Sequence, residues 1–508
     1  MKKLCYLLSA VLLLGCCVVT VAQEAGEPSP VNMEEPSEDY EVCVNGTPVF
    51  VYKARVSKYP INQEWPGYQR PLDQTEIAAF AYFDYHRGDV ITVTPKEKIE
   101  TCVIRPSSYG IKHTIEDNTV SFKVGKPCQI VVEVNGYHKA LHLFVNPKNL
   151  ARKPDLNDPK VHYFGPGYHD AGVINVKSGE TVYVDEGAVV YGCVWGVDVE
   201  NVTVTGKGIL DMSKMSRPFE RDDESDILEL PEMNAWSKDW GTSSLIRGAV
   251  IGFLRSRNVK ISGVILRDPS MWTVVTQNCE NFVIDNVKLI GLWRYNADGI
   301  DLCNSSHIRI RNSFLRTFDD GIVIKGLDFA CVDGYKTIRD IRARNCVLWC
   351  DWGRALEIGA ETYADEVTDI RFKNCEVVRF THYAVDLQSW HHARVHHLYW
   401  KNINAEEPIL ENPTYRIYPI DPKWFGGFIC AEFAGLREWN HRREGLIDHL
   451  YYKNIRYTGS APTYIRFYDW DEDHYVNDVF IRNCTINGRK VTRDDVRLDR
   501  EMPNLQIK

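Results

Sequence analysis

The chain has 508 residues, of which 44% are hydrophobic and 25% charged, the balance of an ordinary globular protein. Its formal net charge of −9 argues against a surface built to grip phosphate backbones, so no nucleic-acid partner is expected. With 34 Gly and 23 Pro it is neither collagen-like nor low-complexity; the less usual count is aromatic, with 13 Trp, 26 Tyr and 19 Phe.

Residues 1–22 begin with Lys2 and Lys3, continue as an apolar run and end on Thr20, Val21 and Ala22. That grammar predicts a secretory signal and a periplasmic or extracellular protein. Leu14, Gly15 and Cys16 offer the rival reading of a lipid attachment site, but apolar residues continue past Cys16 and favour cleavage after Ala22. No later segment has the ~18 consecutive apolar residues of a membrane helix. Cys5, Cys16 and Cys17 lie in the leader, and the other cysteines spread from Cys43 to Cys484. Cys346 and Cys350 lack a second pair to complete a zinc site.

Residues 23–40 are acidic and Pro-containing and read as a linker. From 41 to 150, short alternating runs are separated by turn residues every 8–12 positions, which predicts a small antiparallel β-sandwich. From 151 to 508 the texture changes. Asn201, Asn258, Asn281, His307, Asp340, Asp369, His397, His449 and Asp478 each open a short strand of alternating apolar residues. Most of these anchors are 23 to 33 residues apart, with insertions at 212–250 and 405–445. Strand-only repeats of that length cannot close a core singly and must stack, which predicts a parallel β-helix. Asn-Cys pairs at 278–279, 345–346, 374–375 and 483–484 suggest a stack of Asn and small side chains along the interior.

Coils of such a helix stack at ~4.8 Å, so residues one period apart sit one above another. Asp298 and Asp319 are 21 residues apart, and Asp320 follows directly. Three carboxylates are therefore expected on one face of two adjacent coils, with Gly321 allowing the bend that brings both neighbours into one cleft. Crowding holds one proton to a higher pH while another group stays ionised, which is what glycoside hydrolysis requires. A turn stack rich in Asp, or a calcium site, fits the spacing equally well; Trp and Tyr nearby favour sugar. Asp469, Asp471 and Asp473 space like the start of a calcium loop but lack its Gly and Glu, so no metal and no cofactor is expected.

The stretch from about 255 to 390 resembles the polygalacturonases of glycoside hydrolase family 28 and their clan. Asp268-Pro-Ser-Met-Trp-Thr273 is similar to the strand before the catalytic coil, NADGID (296–301) to the Asn-Thr-Asp-Gly motif, FDDGIVIKG (318–326) to the double-Asp motif and GRALEIGAE (353–361) to the block that follows. A β-sandwich before a β-helix also resembles family 49, the dextranases and isopullulanases. The resemblance implies a right-handed β-helix and an inverting glycosidase acting on a polysaccharide or oligosaccharide. It implies Asp320 or Asp319 as general acid, with Asp298 and the other Asp holding and deprotonating water.

Two departures bear on the substrate. The family's His is replaced by Gly353 or Arg354, and its Arg-Ile-Lys motif by Asp386-Leu-Gln388. Asp386 would repel a uronate, so a neutral or differently decorated glycan is expected rather than galacturonate. A true galacturonan hydrolase, a β-helix lyase and a non-catalytic glycan binder are the alternatives. Substrate contacts are expected from Asn296, Arg354, Glu357, Asp386 and Gln388, with Trp272, Trp352, Trp390 and His391 as cleft walls; His382, Tyr383 and His392 are further wall candidates. Glu357 alternates with Leu356 and Ile358, so it faces away from the core, either as a fourth carboxylate or toward solvent.

Overall fold

The computed structural model describes residues 34–60, 72–214, 248–331, 334–391, 393–410, 426–433, 446–469 and 474–508. The leader, most of the linker, His392, most of the insertion at 212–250, and Asp471 and Asp473 lie outside the described residues.

The N-terminal sandwich has two five-stranded sheets. One is ordered Thr47–Val49, Tyr40–Val44, Ile91–Pro95, Thr119–Phe122 and His113–Glu116. The other is ordered Tyr52–Ser57, Thr75–Asp84, Leu141–Asn146, Cys128–Val134 and Cys102–Arg105. Alternation explains the packing: Ile91, Val93, Val120, Ile130, Val132, Leu141 and Leu143 point into one core. Asn45 and Gly46, with φ of 51° and 78°, make the two-residue turn between the first strands. The sandwich is not wholly antiparallel, because Thr75–Asp84 and Leu141–Asn146 pair in parallel.

Beyond residue 160 the strands form one continuous right-handed parallel β-helix, from Val161–Phe164 to Leu505–Ile507. Each coil contributes to three faces. The first face stacks Val274–Gln277, Ile300–Cys303, Ile322–Gly326, Leu356–Thr362, Tyr383–Leu387, Gly427–Glu432 and Ile465–Tyr468. The second stacks Ser306–Arg311 on Ile338–Arg344 and, onward, on the long strands beginning at Glu366, Arg394 and Leu446. The third includes Ile265–Arg267, Lys288–Ile290, Phe314–Thr317 and Val347–Cys350.

The repeat anchors are turns. All nine, from Asn201 to Asp478, have φ between 51° and 61°. Short polar side chains tolerate this left-handed conformation, which explains why Asn, Asp and His interchange there. A second left-handed column, Asn312, Asn345, Asn374, Asn402, Asn454 and Asn483, is cross-linked coil to coil by side-chain amides. The Asn-Cys pairs divide accordingly: Cys279, Cys346, Cys375 and Cys484 are buried, whereas the Asn345, Asn374 and Asn483 side chains belong to this outer ladder rather than to the interior. An amide can satisfy its neighbours at a turn, but would be orphaned among the Ile, Leu and Val of the core.

The sandwich lies on the third face. Phe80, Val131 and Phe144 pack with Ile265, Phe314, Val347 and Trp349 in one cluster. Arg379 makes two hydrogen bonds to Glu133 at 2.8 and 2.9 Å, and Arg105 bridges Glu133 and Glu406. These buried ion pairs fix how the two layers meet. The sandwich does not pack on the first face, which carries the carboxylate motifs.

Candidate active site

The site forms where strands of the first face begin. The Gly299 N–H donates to the Asp320 carbonyl and the Gly321 N–H to the Arg354 carbonyl, so Asp298, Asp320 and Arg354 stack on successive coils. Coils approach so closely that a Cβ on Gly321 would lie 2.4 Å from the Ala355 carbonyl oxygen. One on Gly353 would lie 2.5 Å from the Asp319 carboxylate. Glycine at both places lets the double Asp sit against the next coil. Asn296 (φ 55°) forms the turn that delivers Asp298.

Two strand residues join the constellation that the motif spacing alone does not single out. Ile300 and Leu302 point inward, so Asp301 points into the cleft; Ile322 and Ile324 do the same for Lys325. The Lys325 ammonium lies 3.1 Å from Asp298, 3.3 Å from Asp301 and 3.7 Å from Asp320. The indole of Trp272 lies beneath it, 4.1 Å from Nζ to the ring centroid. Trp272 is therefore a buried support for the cation rather than an open wall.

Glu357 stacks between Val323 and Asp386 and is fully buried in the site, not solvated. Arg354 reaches Asp320 at 3.8 Å and, through Nε, Asp386 at 3.4 Å. Asp386 also accepts hydrogen bonds from the Leu387 N–H and from Gln388 Nε2, both at 3.0 Å. Gln388 bridges to Glu432, which Arg466 holds at 2.9 Å, and Arg466 also donates to the Tyr383 hydroxyl at 3.2 Å.

Of the remaining residues, Trp352 is half-buried and meets His382 edge-on at 4.3 Å. Trp390 is half-buried one coil further. His391 is buried, stacked on Tyr363 at 3.6 Å, and its Nδ1 accepts the Thr362 N–H. It ties two coils together. Trp293 and Trp349 are buried as well, the latter under the sandwich, so the high aromatic count largely serves packing.

Environment sets the protonation states. Burial and the charge of Asp320 push Asp319 up to about 7. Burial also acts on Asp320, but Lys325 and Arg354 outweigh it and hold that carboxyl below its ordinary range. Burial, opposed by Lys325, leaves Asp298 well above the ordinary range and Asp301 at about 7. Burial beside Asp320 raises Glu357 well above the usual value, and burial raises Asp386 to about 7 against the pull of Arg354. Below neutral pH an ionised Asp320 thus lies directly beside an Asp319 that keeps its proton. The Glu357 carboxyl, held protonated, donates a hydrogen bond to Asp320 and helps hold that group down, while Oδ1 of Asp298 is buried without a hydrogen-bond partner among the described residues.

Among the described residues, the one cluster of potential metal ligands lies outside this cleft. Asp448, His449 and Asp478 have ligand atoms within 4.8 Å of one another, but Arg394 already pairs with Asp448.

The model of the glycosyl hydrolases family 28 matches residues 174–420, which include all the catalytic candidates. An exopolygalacturonase of Zea mays is 25% identical over 273 residues, 52% of this chain and 56% of that protein. A polygalacturonase of Arabidopsis thaliana is 22% identical over 224 residues, 43% of this chain and 45% of that protein. The chain thus spans about half the length of the curated relatives it matches. Among solved structures, Dex49A from Penicillium minioluteum aligns over 96% of this chain and 97% of its own, with a TM-score of 0.55 at 13% identity, a likeness of fold alone that extends through the sandwich. With its own versions of that family's motifs on adjacent coils of a β-helix, the chain resembles glycosyl hydrolase family 28 over residues 174–420.

Proposed function

We propose that the protein is an exported, inverting glycoside hydrolase that cleaves a neutral or non-galacturonate linkage in a polysaccharide or oligosaccharide. The observation that carries the reading is geometric: Asp298 and the Asp319-Asp320 pair meet on adjacent coils, with Lys325 and Arg354 set against Asp320, which favours opposed protonation of the two neighbours. Asp319 protonates the leaving oxygen. Asp320 and Asp298, one coil apart, hold a water, and Asp320 takes its proton. Inversion requires that water to attack from the face opposite the acid. Export rests on the leader at residues 1–22.

The charge inventory supports this choice of substrate. Asp298, Asp301, Asp319, Asp320, Glu357, Asp386 and Glu432 surround Lys325, Arg354 and Arg466, and each of these cations is already within ion-pair distance of a carboxylate. A uronate would add negative charge where no cation among the described residues is spare, whereas raised-pKa acids suit the hydroxyls of a neutral sugar. The second reading, a galacturonan hydrolase, is favoured by the names of the plant relatives.

Incubation with a glycan panel, followed by anomeric NMR of the first products, tests the proposal. We expect new reducing ends of inverted configuration from a neutral-sugar linkage and little turnover of polygalacturonate. Rapid polygalacturonate cleavage would move the substrate to the second reading. Products of retained configuration would rule out inversion, unsaturated products absorbing in the ultraviolet would indicate a lyase, and an uncut panel would leave only a binder.

A further inference from the structure

The second face of the β-helix, away from the carboxylate cleft, carries a row of cations at coil spacing. Strand registers place Arg344, Lys373, Lys401, Lys453 and Arg482 directly over one another on five successive coils. All five are exposed, and none has an acidic partner among the described residues. Two positions back along each strand runs a planar column: Arg371 over Tyr399 at 4.4 Å, Tyr399 on Tyr451 at 4.8 Å, and Tyr451 on Phe480 at 4.9 Å. The ring planes are nearly parallel, at 6° and 8°, so the rings present their edges outward. Between the columns lies an open groove of about 510 Å³. On a chain of net charge −9, this is a concentrated cationic strip with one apolar wall.

We propose that this groove is a non-catalytic binding site for a carboxylated polysaccharide, one uronate-bearing chain lying along the helix axis. The charge density selects the ligand. The strip offers a single file of one cation per coil, about 4.8 Å apart, close to the length of one sugar residue in an extended chain. Duplex DNA presents one charge per ~1.7 Å of axis, far denser than this row can match. The ring edges give the sugar C–H surface an apolar wall, and the Tyr399 and Tyr451 side chains supply hydroxyls. Stacked rings with occupied faces offer nothing to insert into a membrane. The inference rests on the glycan-active reading but not on which bond is cut. The enzyme would hold an acidic polymer on one face while the cleft acts on a neutral linkage attached to it or mixed with it.

Retardation of the full-length protein in native gels containing polygalacturonate tests this, with the catalytically silenced Asp320→Asn variant as parent. The parent should be retarded, and Lys373→Gln, Lys401→Gln and Lys453→Gln combined should lower the affinity at least tenfold. The matching triple Lys→Arg variant should retain it. Lys98→Gln, Lys112→Gln and Lys123→Gln, an equal charge change on the sandwich, should have no effect. Turnover of a soluble oligosaccharide by the otherwise wild-type Lys→Gln triple should be unchanged. An unretarded parent, an unaffected Lys→Gln triple, or equal retardation of the parent by dextran sulfate or duplex DNA would overturn the proposal. These outcomes are independent of cleavage, so failure of the catalytic reading is scored separately.

Discussion

The ammonium of Lys325 lies 3.1 Å from the carboxylate of Asp298, across one coil of the β-helix. It is also the cation nearest Asp301, and both Asp residues are buried. Replacing it with the similarly shaped Met leaves several acidic groups facing one another without compensation. Breaking a buried pair in this way costs about 3–5 kcal/mol. We expect Lys325→Met to lower the melting temperature strongly at pH 8 and much less at pH 5, where the orphaned acids take up protons. Thermal unfolding at the two pH values checks this.

Asp320→Asn and Asp298→Asn should each reduce cleavage by at least about 10²–10⁴-fold, the usual contribution of a positioned acid or base. Neither substitution changes shape, and Lys325 keeps two other carboxylate partners in either variant, so melting temperatures should stay near wild type. Reducing-end release and a thermal melt on the same samples separate loss of chemistry from loss of fold. Wild-type turnover in either variant would remove that residue from the site.

The pH dependence has a defined sign. Asp319 must carry its proton to act, and its pKa is raised to about 7. The catalytic form is therefore present below that value and lost as pH rises through it. Asp320 must be ionised, and it is held below the ordinary carboxylate range. We expect kcat/KM to be flat through the mildly acidic range and to fall above about pH 7. A profile that rises through pH 7 would exclude Asp319 as the acid.

The Asn ladder gives a structural prediction. Asn402 has φ of 55°, donates to Asn374 at 2.8 Å and accepts from Asn454 at 2.7 Å. Ala there loses both bonds, each about 1 kcal/mol, and pays a further ~1–2 kcal/mol for the left-handed backbone. Gly removes only the second term. The order of melting temperatures should be wild type, then Asn402→Gly, then Asn402→Ala.

The repeat was legible because the same turn demands the same few residues, and only Asn, Asp and His occupy the nine anchors. The carboxylate trio was legible because Asp298 and Asp320 are almost one coil apart. Lys325 and Asp301 lie inside the FDDGIVIKG and NADGID motifs, but motif spacing does not mark either as a site residue. Strand alternation from Ile300 and Ile322 points both outward, but their meeting depends on the register between coils. The sequence leaves Glu357 two roles for the same reason: alternation gives its direction, and only the coils above and below decide that the outer face is itself buried. Burial of Trp272 and Trp349 was not readable, since the first is covered by Lys325 and the second by a sandwich far away in sequence.

A stack of coils in which each touches only its neighbours tends to fray from its ends, because every interface opens nearly independently. Here the sandwich runs alongside the stack. Its cluster takes in side chains from Val189 through Phe314 and Val378 to Ile409, and its Glu133 is pinned by Arg379. One layer therefore acts as a splint over the coils that carry Asp298, Asp319 and Asp320. Opening any one of those coils means tearing contacts shared with the others, so the catalytic segment should exchange its amide hydrogens as a single cooperative block, slower than the coils beyond Ile409.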